Sequence, residues 1–320
     1  MGFMPGVIEG RDAGADALAA LIAFLKAGGY RFVTPTPATH ARVLARPENQ
    51  RARDLRGIFG WSLNFAAELV DAALLDRLRE AGIVVAGEGG LLRSRVRVSS
   101  LGQDLFVHSA FPTDGRDAVF FGPDSYRFAR LIAEELRRCP ERPGGRLVDI
   151  GTGAGVGAIV AARLCPAAEI VMTDINPAAL RLARVNAAAA GVAASFVIAE
   201  DLSAIDGALD LVLANPPYII DVAGRAYRDG GGMHGGEVSL AMAQDAVPRL
   251  APGGRFILYT GSAIVDGMDQ LRDRLGELAA AERCTLRYEE IDPDVFGEEL
   301  ENDVYRDVDR IALIAAVIAR

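Results

Sequence analysis

Val148-Asp149-Ile150-Gly151-Thr152-Gly153-Ala154-Gly155 is the stretch that decides the fold. Arg146 to Ile150 is short, mostly apolar and bounded by glycine, which reads as a buried strand. The glycines read as a tight turn, and the apolar residues through Val160 to Leu164 as the helix that follows. Glycine lets the backbone approach a ligand closely, and a helix start offers unpaired amides with partial positive charge. The segment is therefore expected to be both a central strand of an α/β sheet and its ligand loop.

The pattern continues on both sides. A helix is expected over Tyr126 to Arg138, and further strands over Ile170 to Thr173, Ser195 to Ala199, Leu209 to Ala214, Arg255 to Tyr259, Thr285 to Glu290 and Arg310 to Val317. Helical segments are expected between the first five of these. Strands separated by helices pair in parallel through right-handed crossovers, which gives a seven-stranded, doubly wound sheet. The last two strands are joined by Ile291 to Asp309 without a clear helix, so one of them is free to run antiparallel.

The first hundred residues read differently. Ala15 to Lys26 is an apolar helix ended by Gly28 and Gly29, and Leu63 to Ala81 is helical up to Gly82. Leu92 to Val98 and Leu105 to His108 then form a hairpin about Gly102, with Arg93, Arg95 and Arg97 on one face. The expected organisation is an accessory, substrate-recognition domain over 1–112, helical and winged-helix-like, and a sheet domain over 113–320.

Composition bounds the class. With 51% hydrophobic and 24% charged residues, the 320-residue chain can bury a large core and is not a disordered tail. Ala17 to Leu25 and Ile311 to Ala319 are too short to cross a bilayer, and the first dozen residues carry no basic head and apolar signal core. Cys139, Cys165 and Cys284 are scattered without disulfide or zinc spacing. A soluble cytoplasmic protein without a metal is expected. The net charge of -9 disfavours a general phosphate-binding surface.

Several side chains carry chemistry. Gly153, Gly155 and Ala158 satisfy a permissive dinucleotide spacing, so a nicotinamide oxidoreductase is one reading. Asp149 opposes it, because a carboxylate before the glycines repels a pyrophosphate and suits a cationic ligand. Asp174, with Ile175 beside it, closes the next strand, where a carboxylate accepts from a ribose diol; Asn176 is the N-cap candidate for the helix starting at Pro177. Asp201 and Leu202 follow the third strand, placed to meet an adenine or to make an ordinary turn. Asn215-Pro216-Pro217-Tyr218 follows the strand Leu209 to Ala214, and two prolines cannot extend a central strand. The Asn215 side-chain oxygen and the Pro216 carbonyl can accept both hydrogens of one planar amino group, with the Tyr218 ring as a stacking face.

Together these residues resemble the class I S-adenosylmethionine-dependent methyltransferases with an Asn-Pro-Pro-Tyr motif, a branch that includes protein-glutamine N5 and adenine-N6 enzymes. The resemblance covers about Phe111 to Arg320. It implies that Asp149, Gly151, Thr152, Gly153 and Gly155 hold the methionine part of the cofactor, Asp174 and Ile175 its ribose side, and Asp201 and Leu202 its adenine. It further implies that Asn215 to Tyr218 hold the acceptor, with Asn215 next to the cofactor. Ala118 to Ser125 sits where related enzymes cover the cofactor, with Phe121 or Ser125 in reach. The expected activity is methylation of a planar amino group, most simply a protein glutamine; RNA or DNA adenine, or a metabolite, is the alternative. A binding module that keeps this fold without turnover is a further reading.

Two other features bear on the acceptor. Tyr227 to Glu237 holds Gly230, Gly231, Gly232, Gly235 and Gly236 around His234 and reads as a lid or as a loose surface loop. Arg42, Arg46, Arg51, Arg53 and Arg56 form a basic run, whereas Glu289, Glu290, Asp292, Asp294, Glu298, Glu299, Glu301 and Asp303 form an acidic one at the sheet's edge. The acidic run favours a protein or small-molecule acceptor over nucleic acid.

Overall fold

The structure, a computed structural model, describes residues 12–138, 145–221 and 228–320. Cys139 and Tyr227 lie outside them. The chain divides into two compact units, one ending at Phe111 and one beginning at Pro112.

In the first unit, Asp12 caps α1 (Ala13–Ala27) by accepting the Gly14 and Ala15 amides, and Leu18, Leu21, Ile22 and Leu25 form its buried face. Thr36, Asp54 and Asp71 cap α2 (Pro37–Leu44), α3 (Leu55–Phe59) and α4 (Ala72–Glu80) in the same way. The helix expected over Leu63 to Ala81 begins only at Ala72. Before it, Phe65 is fully buried and exchanges both main-chain hydrogen bonds with Leu92, a strand-like pairing that a helix would forbid.

The single hairpin expected after α4 is two small sheets. β1 (Val84–Ala86) pairs with β2 (Leu92–Ser94), and β3 (Val96–Leu101) pairs with β4 (Asp104–Ser109). The break falls at Arg95, where the Ser94 hydroxyl accepts the Val96 amide and donates to the Val96 carbonyl. As a result the three arginines do not share a face. Arg93 and Arg95 are exposed, whereas Arg97 is 2% exposed and its Nε donates to the Ser109 carbonyl.

The second unit holds the sheet. Its strands are β5 (Arg146–Ile150), β6 (Glu169–Asp174), β7 (Ser195–Ile198), β8 (Leu209–Ala214), β9 (Leu250–Val265), β10 (Met268–Asp269), β11 (Thr285–Asp292) and β12 (Arg310–Ala319). The order is β11-β12-β9-β8-β5-β6-β7, and the short β10 pairs only with β9. β7, β6, β5, β8 and β9 are parallel, and β12 runs antiparallel to both neighbours. All seven expected strands are present in this mostly parallel α/β sheet. β9 is much longer than the expected Arg255 to Tyr259, because its glycines interrupt the apolar pattern without interrupting the pairing.

Helices α5 (Pro123–Arg138), α6 (Val156–Leu164) and α7 (Pro177–Ala190) pack in succession along the sheet, and α8 (Glu237–Ala246) packs against α9 (Gln270–Ala281). Val148, Ile150, Val212 and Ala214 share one core with Leu240, Ala243, Leu271 and Leu275 of α8 and α9, while Asp149, on the opposite face of β5, bonds to α6. No helix links β7 to β8, contrary to expectation. That connection is a run of turns pinned by the Arg249 guanidinium, which donates to the carbonyls of Leu202, Ile205 and Gly207.

Candidate active site

Four parallel strands stop together. Ile150 is the Cα partner of both Thr173 and Ala214, and Asp174 is the partner of Ile198. The residues that follow therefore line one carboxyl edge, with Gly151 beside Asn215. In open α/β sheets this edge is where ligands bind.

The loop after β5 needs its glycines. Gly151, Gly153 and Gly155 have φ of 63°, 55° and 84°, a region that side chains disfavour. A Cβ on Gly153 would meet nothing within 4 Å, so the loop faces open space there. Beneath it, Asp149 is 2% exposed, and its Oδ2 accepts the Thr152 hydroxyl at 2.6 Å and the Ala158 amide at 2.9 Å. Burial pushes its carboxyl up to about 6, against the pull of those two hydrogen bonds. Asp149 and Thr152 thus brace the loop from below.

Asp174 braces it from the side. Its Oδ2 accepts the Gly153 amide and its Oδ1 the Asn176 amide, both at 2.9 Å. Burial raises its carboxyl above the usual carboxylate value. Asn176 caps α7 through Ala178, as expected, and its Nδ2 donates to the Asp117 carbonyl. That bond ties the segment before α5 to the Asp174 turn, although Phe121 and Ser125 themselves are buried.

Beside Asp174, Ile175 is 54% exposed and Ile198 63%. Two large apolar side chains left open at the ends of adjacent strands form a ready face for a flat ring. Ile198 was hidden in the sequence as an ordinary strand residue. Of Asp201 and Leu202, both expected at the adenine, the leucine is placed otherwise. Asp201 is exposed and accepts the Ser203 amide in its own turn, while Leu202 is fully buried in the core.

Asn215 is half-buried, and among the described residues no hydrogen bond engages its side chain or the Pro216 carbonyl. Tyr218 differs from the expected stacking platform. It is 8% exposed, its ring lies so close over Gly261 that a Cβ there would strike it, and its edge meets Phe296 at 5.7 Å between centroids. Its hydroxyl donates to Asp124 Oδ2 at 2.9 Å. Asp124 and Tyr259 were invisible from the sequence as partners of this motif, being 94 and 135 residues from the groups they meet.

The glycine-rich segment is a fitted loop rather than a loose one over its described part. The Gly230 amide donates to the Ile219 carbonyl at 2.7 Å, and a Cβ on Gly235 would collide with the Tyr218 carbonyl oxygen. Ile220 is held by the Tyr305 hydroxyl at 2.6 Å. His234 faces Asp307 at 3.2 Å and borders a cavity of about 330 Å³ that also includes Met233, Val265, Met268 and Leu271. The runs of charge are largely solvated. The five arginines from Arg42 to Arg56 are exposed, and Glu289, Glu290 and Asp292 pair with Arg287, Arg310 and Arg127.

Among the described residues, no cluster of three His, Cys, Asp or Glu side chains is placed to hold a metal ion, and no helix is long and apolar enough to cross a membrane.

Residues 127–284 match the profile of the family described as the Methyltransferase small domain. A release factor glutamine methyltransferase of Deinococcus radiodurans is 34% identical over 181 residues, covering 55% of this chain and 63% of that protein. A ribosomal protein L11 methyltransferase of Syntrophotalea carbinolica is 34% identical over 187 residues, 54% of each. Among solved structures, Trm5b from Pyrococcus abyssi overlays with a TM-score of 0.48 at 16% identity, covering 73% of this chain and 61% of that one. The chain thus spans less than two-thirds of the length of these curated relatives. It is similar to class I S-adenosylmethionine-dependent methyltransferases, including those named for protein glutamine.

Proposed function

We propose, for a chain that resembles the class I methyltransferases, that it transfers a methyl group to the side-chain nitrogen of a protein glutamine. The observation that carries this reading is the pairing of Ile150 with Ala214, which sets the glycine loop beside an Asn215 amide with no partner among the described residues. The chain's residues fit S-adenosylmethionine. Gly153 opens onto free space, Asp174 keeps unused acceptor capacity toward a ribose diol, and Ile175 and Ile198 leave an apolar face for the adenine. Gly151, Gly153 and Asp174 would hold the cofactor, which when bound supplies an electrophilic methyl on sulfur.

The protein's own task is alignment and exclusion of water. Asn215 Oδ1 and the Pro216 carbonyl accept the two N–H groups of a primary amide and fix the direction of its nitrogen; the nitrogen–carbon bond forms as the carbon–sulfur bond breaks, and one amide proton passes to solvent. An amide nitrogen is a weak nucleophile because its lone pair is delocalised, and two acceptors draw it toward the pyramidal form. Tyr218 supports that geometry from behind. A protein acceptor is favoured over nucleic acid by the net charge of -9 and by the release factor glutamine methyltransferases among the chain's relatives.

The test is direct. The purified chain is incubated with methyl-labelled S-adenosylmethionine and, separately, a bacterial release factor, ribosomal protein L11 and total RNA. Label on a glutamine nitrogen of the release factor supports the reading, and label confined to L11 or RNA overturns it.

A further inference from the structure

Tyr218 ends the acceptor motif, yet its ring is buried and its hydroxyl is spent on a small polar cluster. At the centre of that cluster stands Asp124, in the first turn of α5. Its two carboxylate oxygens are used separately. Oδ2 accepts the Tyr218 hydroxyl and Oδ1 accepts the Tyr259 hydroxyl, each at 2.9 Å, and the Arg127 guanidinium lies 3.4 Å from Oδ1. Tyr259 is fully buried near the carboxyl end of the parallel part of β9, one residue past the Leu258 that pairs with Ala214. Burial and the neighbouring carboxylate hold both phenols far above their ordinary value, so both remain neutral donors.

We infer that Asp124 is a positioning residue for methyl transfer: by accepting from Tyr218 and Tyr259 at once, it locks Asn215-Pro216-Pro217-Tyr218 against β9 and thereby sets the acceptor-binding oxygens. The argument is mechanical. Pro216 and Pro217 have fixed φ and make the motif a stiff rod, and a rod is aimed by its two ends. The Asn215 end continues from β8. The Tyr218 end has its ring seated on Gly261 and its hydroxyl on Asp124. Hydrogen bonds to a carboxylate are the stronger kind, and here one carboxylate ties α5 to the motif and to β9. A Phe at 218 would fill the same space and lose only the aim.

The inference rests on the acceptor reading above, and its test keeps the two apart. Full-length wild type, Asp124→Asn, Tyr218→Phe, Tyr259→Phe and the Asp124→Asn/Tyr218→Phe double variant are assayed with labelled S-adenosylmethionine and a bacterial release factor. S-adenosylhomocysteine affinity is measured by calorimetry on each. Asp124→Asn and Tyr218→Phe are each expected to lower kcat by about 30-fold or more, with cofactor affinity within about threefold. The double variant should be no worse than Asp124→Asn alone, and Tyr259→Phe should cost less than either. Unchanged kcat in Tyr218→Phe, multiplied losses in the double variant, or an equal loss of cofactor affinity would overturn the role. Amide exchange at Ile220 and Gly230, whose N–H groups donate to the Tyr305 hydroxyl and the Ile219 carbonyl just past the motif, should accelerate about tenfold or more in Tyr218→Phe; unaltered exchange overturns the inference even if the release factor proves the wrong acceptor. Absence of transfer by wild type, with exchange altered as expected, removes the acceptor reading and leaves Asp124 as the lock on the motif.

Discussion

Ile150 and Ala214 are Cα partners on adjacent parallel strands, so each chain leaves the sheet at the same level, one into Gly151 and the other into Asn215. A glycine loop and a side-chain amide without a partner among the described residues thus share one edge, and the roles proposed for them are separable by mutation.

Asn215→Ala is expected to lower methyl transfer on the order of 100-fold or more, while cofactor affinity stays within a few-fold. Labelled transfer and calorimetry with S-adenosylhomocysteine measure the two quantities. Parallel loss of both would remove Asn215 from the acceptor side.

Asp174→Ala should do the reverse. It removes the acceptor of the Gly153 amide together with the carboxylate expected at the ribose. A charge-assisted hydrogen bond is worth about 1.5–3 kcal/mol, so cofactor affinity should fall about 10- to 100-fold. An unchanged dissociation constant would refute the assignment.

Asp149 makes a pH-dependent contribution. Its carboxyl is raised from 3.8 to about 6, so the folded state prefers the proton. The stability linked to this group is complete below about pH 4 and is lost as the pH rises through about 6, a change on the order of 3 kcal/mol. Asp149→Asn removes this dependence. The gap in melting temperature between variant and wild type should move in the variant's favour from pH 4 to 7, and a constant gap would contradict the shift.

These expectations show what was legible in the chain. β5, β6, β8 and β12 were readable because buried strands are dense in Val, Ile, Leu and Ala, and the turn after β5 because positive φ demands glycine. The end of β8 at Ala214 was readable for a local reason as well, since consecutive prolines must leave the sheet. The partners of Tyr218 were not, because Asp124 and Gly261 reach it only through tertiary packing. Leu202 was misplaced for the same reason: a leucine after a strand looks identical whether it covers a ligand or enters the core. The break at Arg95 was hidden because alternating arginines satisfy a strand pattern on either side of a Ser94 kink.

Gly235→Ala tests the loop beneath the motif. At φ 97° and with its Cβ aimed at the Tyr218 carbonyl, the substitution should cost about 2–4 kcal/mol and lower transfer. Gly267→Ala has φ 72° but open space around it and should cost only about 1 kcal/mol with activity retained. Thermal melts of the two variants give the comparison, and equal shifts would mean that the close approach carries no energy.

The first unit carries its own acid sensitivity. Burial and then the Arg97 guanidinium depress His40 from 6.5 to about 4, partly offset by its bond to the Trp61 carbonyl. A depressed value means stability present above pH 6.5 and lost as pH falls toward 4. Trp61 is the chain's sole tryptophan, so its emission should report a transition in that window. His108 is fully buried, faces the same guanidinium and is also held well below 6.5, so His40→Phe should weaken the transition without abolishing it, and an unaltered curve would exonerate the histidine.

β12 lies between β9 and β11 although the ribosome makes it after both. Until residues 310–319 emerge, β11 has no neighbour in the sheet, and β9, which carries Tyr259 and Gly261, lacks one of its two long partners. Joining β11 to the rest of the sheet therefore requires β12. A nascent chain halted before Arg310 would display two unpaired strand edges to the chaperone machinery.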